Sequence, residues 1–328
     1  NTISKSDNIW FHLSPGTWAM SLSWFLLSQK SFPANLIKSN IKDSTVSEVE
    51  VPFEVSVQWL SKIYEKPDKL LKENQNKIFG IQVKSQAMER LLIKAAKYSS
   101  RSLPIYIEGE QGTEKVELAK AIHEMSPRKL NDFVHIDCGL YADSEHIIKK
   151  LFGSEDASGH AFEKGKNGTI FIQSIDAMPK DCQRLLLAHL ESLKNSDPDE
   201  MPRVIVSSRE NLMNLVETGA FLEGLMHEVS ILMLKVPPLR DRGDDIEQII
   251  LNSLEEAKKI LDGNNVTDNK RLSPGALNYL LGHTWSGNMN ELKATLQRMI
   301  IQSDNNVISE NEAIEAVFSS PTATSYKE

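Results

Sequence analysis

Between residues 103 and 208, short apolar runs alternate with amphipathic segments, and this alternation restricts the fold more than any other feature of the chain. "LPIYIEG", "FVHIDCG", "GTIFIQSI" and "PRVIVSS" read as strands; "KVELAKAIHEMS", "HIIKKLFG" and "DCQRLLLAHLESL" lie between them with helical spacing. A further helix, "MERLLIKAAKYSS", precedes the first of these strands, and the residues after "VPPLRDR" are mostly helical. Such alternation predicts a parallel α/β sheet of the nucleotide-binding kind, with any chemistry on loops at the carboxyl ends of the strands.

Length sets how many such units fit. With 328 residues, 40% of them hydrophobic, the chain can bury one large core or two ordinary ones, and the length favours two domains. A formal net charge of -8 argues against a surface that coats nucleic acid as a whole and leaves a local basic patch open. Cys138 and Cys182 form no C-x-x-C pair, so buried structural thiols in a reducing, cytoplasmic compartment are expected, with no metal site. The run "WAMSLSWFLLSQ" is too short for a membrane span, and no secretory signal opens the chain. The first residue is Asn1, not Met, so a truncated start is expected.

The stretch "IYIEGEQGTEKVELAKAIH", residues 105–123, has the form of a strand, a phosphate-binding loop and a helix. Such a loop works because successive backbone N–H groups converge on phosphates at a helix N-terminus, with a lysine adding charge. The candidate cofactor-binding residues are Gly109, Glu110, Gln111, Gly112, Thr113, Glu114, Lys115 and Val116. Glu114 departs from the pattern, placing a Cβ and a carboxylate where a glycine is wanted. Weakened binding of ATP or ADP is therefore expected, with magnesium undecided; a capped strand-to-helix turn without ligand is the competing reading.

These residues resemble the AAA+ domain of the sigma-54-dependent transcription activators, over roughly residues 78–318. "GEQGTEKVELAKAIHEMSPR" stands for GESGTGKE and the helix ending in IHxxSxR. "FVHIDCG" stands for FxxxNC, "LFG" for ELFG and "NGTIFIQSID" for GGTLFLDEI. "VPPLRDRGDDI" stands for PPLRxRxxDI and "TWSGNMNEL" for WPGNxREL. The resemblance implies an α/β P-loop AAA+ core at 78–238, a helical lid at 239–318 and a ring-forming protein. A disordered tail is expected at 319–328.

The positions that carry hydrolysis in that family are changed. Its strand-end Asp-Glu pair, which organises magnesium and polarises water, is Gln173 and Ser174 here. Asp176 is expected to cap the helix that follows. The family's two interface arginines align with Leu222 and Glu228, its lid arginine with Asn290, and its sensor Thr-Asn with Ser208 and Arg209. Arg240 and Arg242 are expected either at a subunit interface, as the resemblance suggests, or solvated or paired with Asp241, Asp244 and Asp245. The segment "SEDASGHAFEKGKN" leaves no room for the sigma-54 contact loop, residues 159–162 aligning with a short strand after it. No helix-turn-helix follows "NEAIEAVF".

The first unit, residues 1–58, joined by a lysine-rich linker helix at 59–77, resembles part of the CARF-type Rossmann sensor of RNA-repair-operon regulators of the RtcR type. "HLSPGTWAM", "FPANLIKSN" and "VEVPFEV" carry that resemblance. It implies an RNA-end or cyclic-oligonucleotide ligand at Ser14, Pro15, Gly16 and Thr17; an ordinary capped helix start is the alternative. The expected protein is a pseudo-ATPase regulator with no catalytic residue, assembling with itself or with a related AAA+ protein. Its rival is a slow ATPase activator that uses Asp176 and an arginine such as Arg240 or Arg209.

Overall fold

A computed structural model describes residues 9–12, 34–40, 45–48, 77–78, 81–82, 85–141, 143–153, 159–194, 201–261 and 269–319. The chain divides into two compact units, residues 1–70 and 71–328. In the first, β1 (Ile9–His12) pairs in parallel with β2 (Ala34–Asn40), and β2 pairs antiparallel with β3 (Thr45–Glu48). Parallel neighbours need a crossover connection. The residues between β1 and β2 in sequence, Ser14, Pro15, Gly16 and Thr17 among them, lie outside the described residues. So do the expected strand "VEVPFEVSV", most of the linker helix and the tail.

The second unit opens on a hairpin of β4 (Lys77–Ile78) and β5 (Ile81–Gln82), so residue 77 is strand, not linker helix. Then follow α1 (Gln86–Ser99), β6 (Ile105–Glu108), α2 (Lys115–Glu124), β7 (Phe133–Asp137), α3 (Ser144–Phe152), α4 (Ala161–Lys164) and β8 (Thr169–Gln173). After them come α5 (Lys180–Leu193), β9 (Arg203–Ser208), α6 (Leu212–Glu217), α7 (Glu223–Val229) and β10 (Leu232–Lys235). The five strands form one parallel sheet in the order β10-β6-β9-β8-β7.

Alternation within each strand divides the core between the two faces of the sheet. Ile105, Ile107, Phe171 and Ile205 pack with α1 and α2 on one face. Tyr106, Ile170, Ile172, Val204 and Val206 pack with α3, α5 and α7 on the other, where Cys138 and Cys182 are buried as free thiols. Register brings the strand ends level, Glu108 beside Ser208 and Asp137 beside Gln173. Two sequence expectations fail here. Residues 161–164 are helix α4, begun by the His160 ring accepting from Glu163 N–H, and not a strand. The strand β10 lies at the sheet edge in a segment for which the sequence predicts no strand, and it buries Leu234 alone.

The lid consists of α8 (Gly243–Leu261), β11 (Arg271–Leu272), α9 (Pro274–Gly282), α10 (Asn288–Gln302), β12 (Val307–Ile308) and α11 (Glu310–Phe318). Its apolar cluster is separate from the two that line the sheet and centres on Trp285, whose Nε1 donates to the Leu280 carbonyl. Ser309 and Glu312 close a reciprocal capping box at α11. No helix among the described residues is long and apolar enough to cross a membrane.

Candidate functional site

The loop between β6 and α2 turns because of two left-handed residues. Gly112 has φ 78°, and a Cβ there would lie 2.5 Å from the Gly287 carbonyl oxygen of the lid turn. Glu114 has φ 63° and ψ 37°, a conformation that costs a residue with a side chain about 1–2 kcal/mol. The position therefore has a glycine's backbone without a glycine. Thr113 Oγ1 donates to the Glu110 carbonyl at 2.8 Å. Lys115 folds back onto the loop, its Nζ donating to the carbonyls of Gly109 (2.6 Å) and Glu110 (2.8 Å). Burial pushes the Lys115 ammonium down to about 8, while the nearby Asp176 carboxylate works the other way.

Loop and lid meet through Asn288, which is fully buried in the left-handed region at φ 51°. Its Oδ1 accepts from Leu239 N–H at 2.7 Å; its Nδ2 donates to Glu110 Oε2 at 3.1 Å and the Gln111 carbonyl at 3.0 Å. Met289 N–H adds a bond to the Gly112 carbonyl. Arg240 grips Glu110 with both guanidinium nitrogens, at 2.8 and 2.5 Å, and holds that carboxyl below the usual carboxylate range. Sequence reasoning offered an interface, solvent or the neighbouring aspartates for Arg240; it did not foresee the loop glutamate, 130 residues away. Arg242 does pair with Asp245, at 3.4 Å, and both are buried, which removes Arg242 from any exposed interface. Asp245 also accepts from the Ser85 N–H and Oγ, tying the start of α1 to the start of α8.

A cavity of about 480 Å³ lies at the strand ends between loop and lid. Its size suits a nucleotide. The acids on its wall are Glu114, Glu117 and Asp137, and the cations are Lys115, Arg209 and Lys293. Gln173 and Ser174, at the end of β8, line it too. Gln173 Oε1 lies 2.8 Å from His135 Nε2, and Ser174 is left-handed at φ 54°. Asn290 opens onto the cavity from α10 without charge. Leu222 only starts α7, its N–H donating to Gln183 Oε1, and Glu228 pairs with Lys194 at 2.7 Å. Val116 lies on the cavity wall beside Lys115.

Asp176 is not the expected helix cap. It lies in a single 3-10 turn, residues 175–177, and α5 begins after Pro179 with no side-chain cap. Its side chain is 5% exposed; Oδ2 meets Arg209 Nε at 3.3 Å, and Oδ1 is buried without a hydrogen-bond partner. Sequence reasoning missed Lys293, Asn288 as the clip, and Asp137, whose Oδ1 accepts from Gly139 N–H. Helical spacing could have found Lys293, which follows Asn290 by one turn on the same face.

The buried Lys115 charge has a measurable consequence. Lys115→Met stabilises the ligand-free chain by about 1–2 kcal/mol at neutral pH, the desolvation relieved outweighing two hydrogen bonds lost. The folded-state pKa of about 8 lies below the unfolded value of 10.5, so the penalty is full below pH 8. It fades as pH rises from 8 to 10.5, so the mutant's advantage shrinks over that window and gives way to the loss of the two hydrogen bonds. Denaturant titrations at pH 7 and pH 10 check this.

Comparison with known proteins places the two parts of the unit. Residues 81–235 match the Sigma-54 interaction domain family, and residues 240–327 the AAA+ ATPase lid domain family. The anaerobic nitric oxide reductase transcription regulator NorR of Citrobacter koseri is 33% identical over 212 residues, which is 61% of this chain and 41% of that protein. Its counterpart in Salmonella paratyphi B is 32% identical over 230 residues, 66% of this chain and 45% of that one. The match thus spans less than half the length of these relatives. Among solved structures, NtrX from Brucella abortus in complex with ATP aligns with a TM-score of 0.63 at 20% identity, covering 96% of this chain and 78% of that one. Its ADP complex gives 0.62 at 22% identity, covering 92% and 75%. At that identity the likeness establishes the fold.

Proposed function

We propose, from a chain whose residues 81–235 are a sigma-54 interaction domain of the AAA+ class and whose residues 240–327 are its lid, a regulator of transcription that binds a nucleotide and does not hydrolyse it. One contrast carries the reading. The loop keeps its left-handed turn, its lysine and its cavity, while the strand end presents Gln173 and Ser174 in place of two carboxylates. Leu222, Glu228 and Asn290 add the loss of three cations that would meet a phosphate from a neighbouring subunit or the lid. A protein so built acts through the shape that a nucleotide gives it. Its output runs through contacts with copies of itself or with a related AAA+ protein. The first unit is the proposed place of a ligand-triggered input, an RNA end or a cyclic oligonucleotide, for transcription or for stress and defence signalling.

Binding calorimetry of ADP and ATP, with and without magnesium, tests the nucleotide half. Measurable binding whose affinity changes less than about threefold on adding magnesium is expected, since β8 ends in Gln173 and Ser174 and offers no carboxylate pair to hold the ion. Binding that requires magnesium would overturn this.

A second reading, the slow ATPase activator, has one observation in its favour. Asp176 is buried beside the loop lysine with an oxygen that nothing satisfies, so a bound ion or water is the chemistry it lacks. Under that reading Asp176→Asn abolishes a turnover that the wild type shows.

A further inference from the structure

The lid cation that faces the cavity is already held by a carboxylate of the loop. We propose that Glu114 is an internal stand-in for a nucleotide phosphate: it holds Lys293 in the ligand-free chain, and a nucleotide binds by taking Lys293 from it. This rests on the nucleotide-binding half of the reading above.

Three attractions that a phosphate would feel at this place converge on the Glu114 carboxylate. The first is the N-terminus of α2, where Glu114 is the cap residue, makes no side-chain cap bond and places a negative charge at the positive end of the helix. The second is Lys293, whose Nζ lies 3.6 Å from Glu114 Oε1 and 4.0 Å from Glu256 Oε2. The third is Arg242, whose Nη1 lies 4.0 Å from the other oxygen, Oε2. These partners differ in freedom. Arg242 is 2% exposed and fixed by Asp245, so it cannot follow a ligand. Lys293 is 46% exposed on a long stem at the cavity wall and can.

Position reinforces the argument. Asn290, one turn earlier on α10, leaves the lid without a cation there, and Lys293 supplies one from the same face. The Glu114 side chain makes no cap bond to its own helix and meets the lid at Lys293. The substitution that removes a glycine from the loop thus also provides a tether between loop and lid. A phosphate and the Glu114 carboxylate cannot share Lys293 at ordinary hydrogen-bond distances without strong repulsion.

The test compares wild type, Glu114→Gln and Lys293→Ala in the full chain. Glutamine retains the size and backbone preference of glutamate, so it removes charge alone. Two readouts are taken: amide hydrogen exchange across α10 without ligand, and ADP affinity by calorimetry. Both variants are expected to speed exchange in the first turns of α10 several-fold. ADP affinity is expected to rise tenfold or more in Glu114→Gln and to fall in Lys293→Ala. Unchanged exchange in both variants overturns the tether. Lys293→Ala binding ADP as tightly as wild type overturns the handover. ADP failing to bind even Glu114→Gln, with α10 loosened, removes the nucleotide reading and the handover together.

Discussion

Supplied with ATP and magnesium, the assembled protein releases phosphate no faster than its Lys115→Ala variant. A positioned base contributes about 10²–10⁴ to such a rate, and an arginine on the transferring phosphate about 10³–10⁵. At the strand end Gln173 is engaged with His135, and Ser174 has only a hydroxyl to offer. Where the resemblance would put two interface arginines, Leu222 presents no charge, and Glu228 is an acid paired with Lys194. Losing both contributions removes about 10⁵ or more, which puts turnover below a typical assay floor. Phosphate release that depends on both magnesium and Lys115 would sink the non-hydrolysing reading and turn attention to Asp176. Oligomer must be present in the sample, because a ring that never forms would be silent for another reason.

Asn288→Ala is expected to destabilise the protein by about 2–4 kcal/mol. The asparagine is fully buried, and one side chain satisfies Leu239 N–H, Glu110 and the Gln111 carbonyl. Alanine leaves Leu239 N–H and the Gln111 carbonyl without that partner, at about 1–3 kcal/mol for a buried group, while Glu110 keeps Arg240; it also adds left-handed strain that asparagine tolerates better. A fall in Tm of roughly 5–12 °C corresponds to this in a unit of such size. Asn288→Gly separates the contributions: it removes the strain and keeps the loss of bonds, so it should recover only about a third of the effect. A fall of under 2 °C for the alanine variant would show that the clip contributes little.

The sheet was legible because its central strands carry unbroken apolar runs. β6, β8 and β9 are buried on both faces, so each reads as a strand without help from context. α4 has only four residues, too few for propensity to decide between helix, strand and loop, and β10 is an edge strand that buries Leu234 alone, so its apolar run fits a helix as well as a strand. Asp176 was misjudged because a carboxylate ahead of a helix suggests a cap, whereas Pro179 starts that helix without one. At the site, the need for a left-handed residue at position 114 was readable from the glycine that belongs there. What Glu114 does instead was not. Its partners come from the lid and its connector, and nothing in a one-dimensional pattern marks Lys293 or Arg242 as neighbours of the loop. The same distance in sequence hid the grip of Arg240 on Glu110.

The joint between sheet and lid has a mechanical character set by its chemistry. Each side has its own oily interior, and what fastens one to the other is chiefly Asn288 on the loop, Arg240 on Glu110 and Asp245 on Ser85. Greasy surfaces pressed together can creep into a new fit, because that attraction has no direction. Directed bonds between fixed atoms hold one register only, and water replaces them when the parts separate. Such a seam behaves like a snap fastener rather than a sliding bearing: the lid is either seated or free, with little stable ground between.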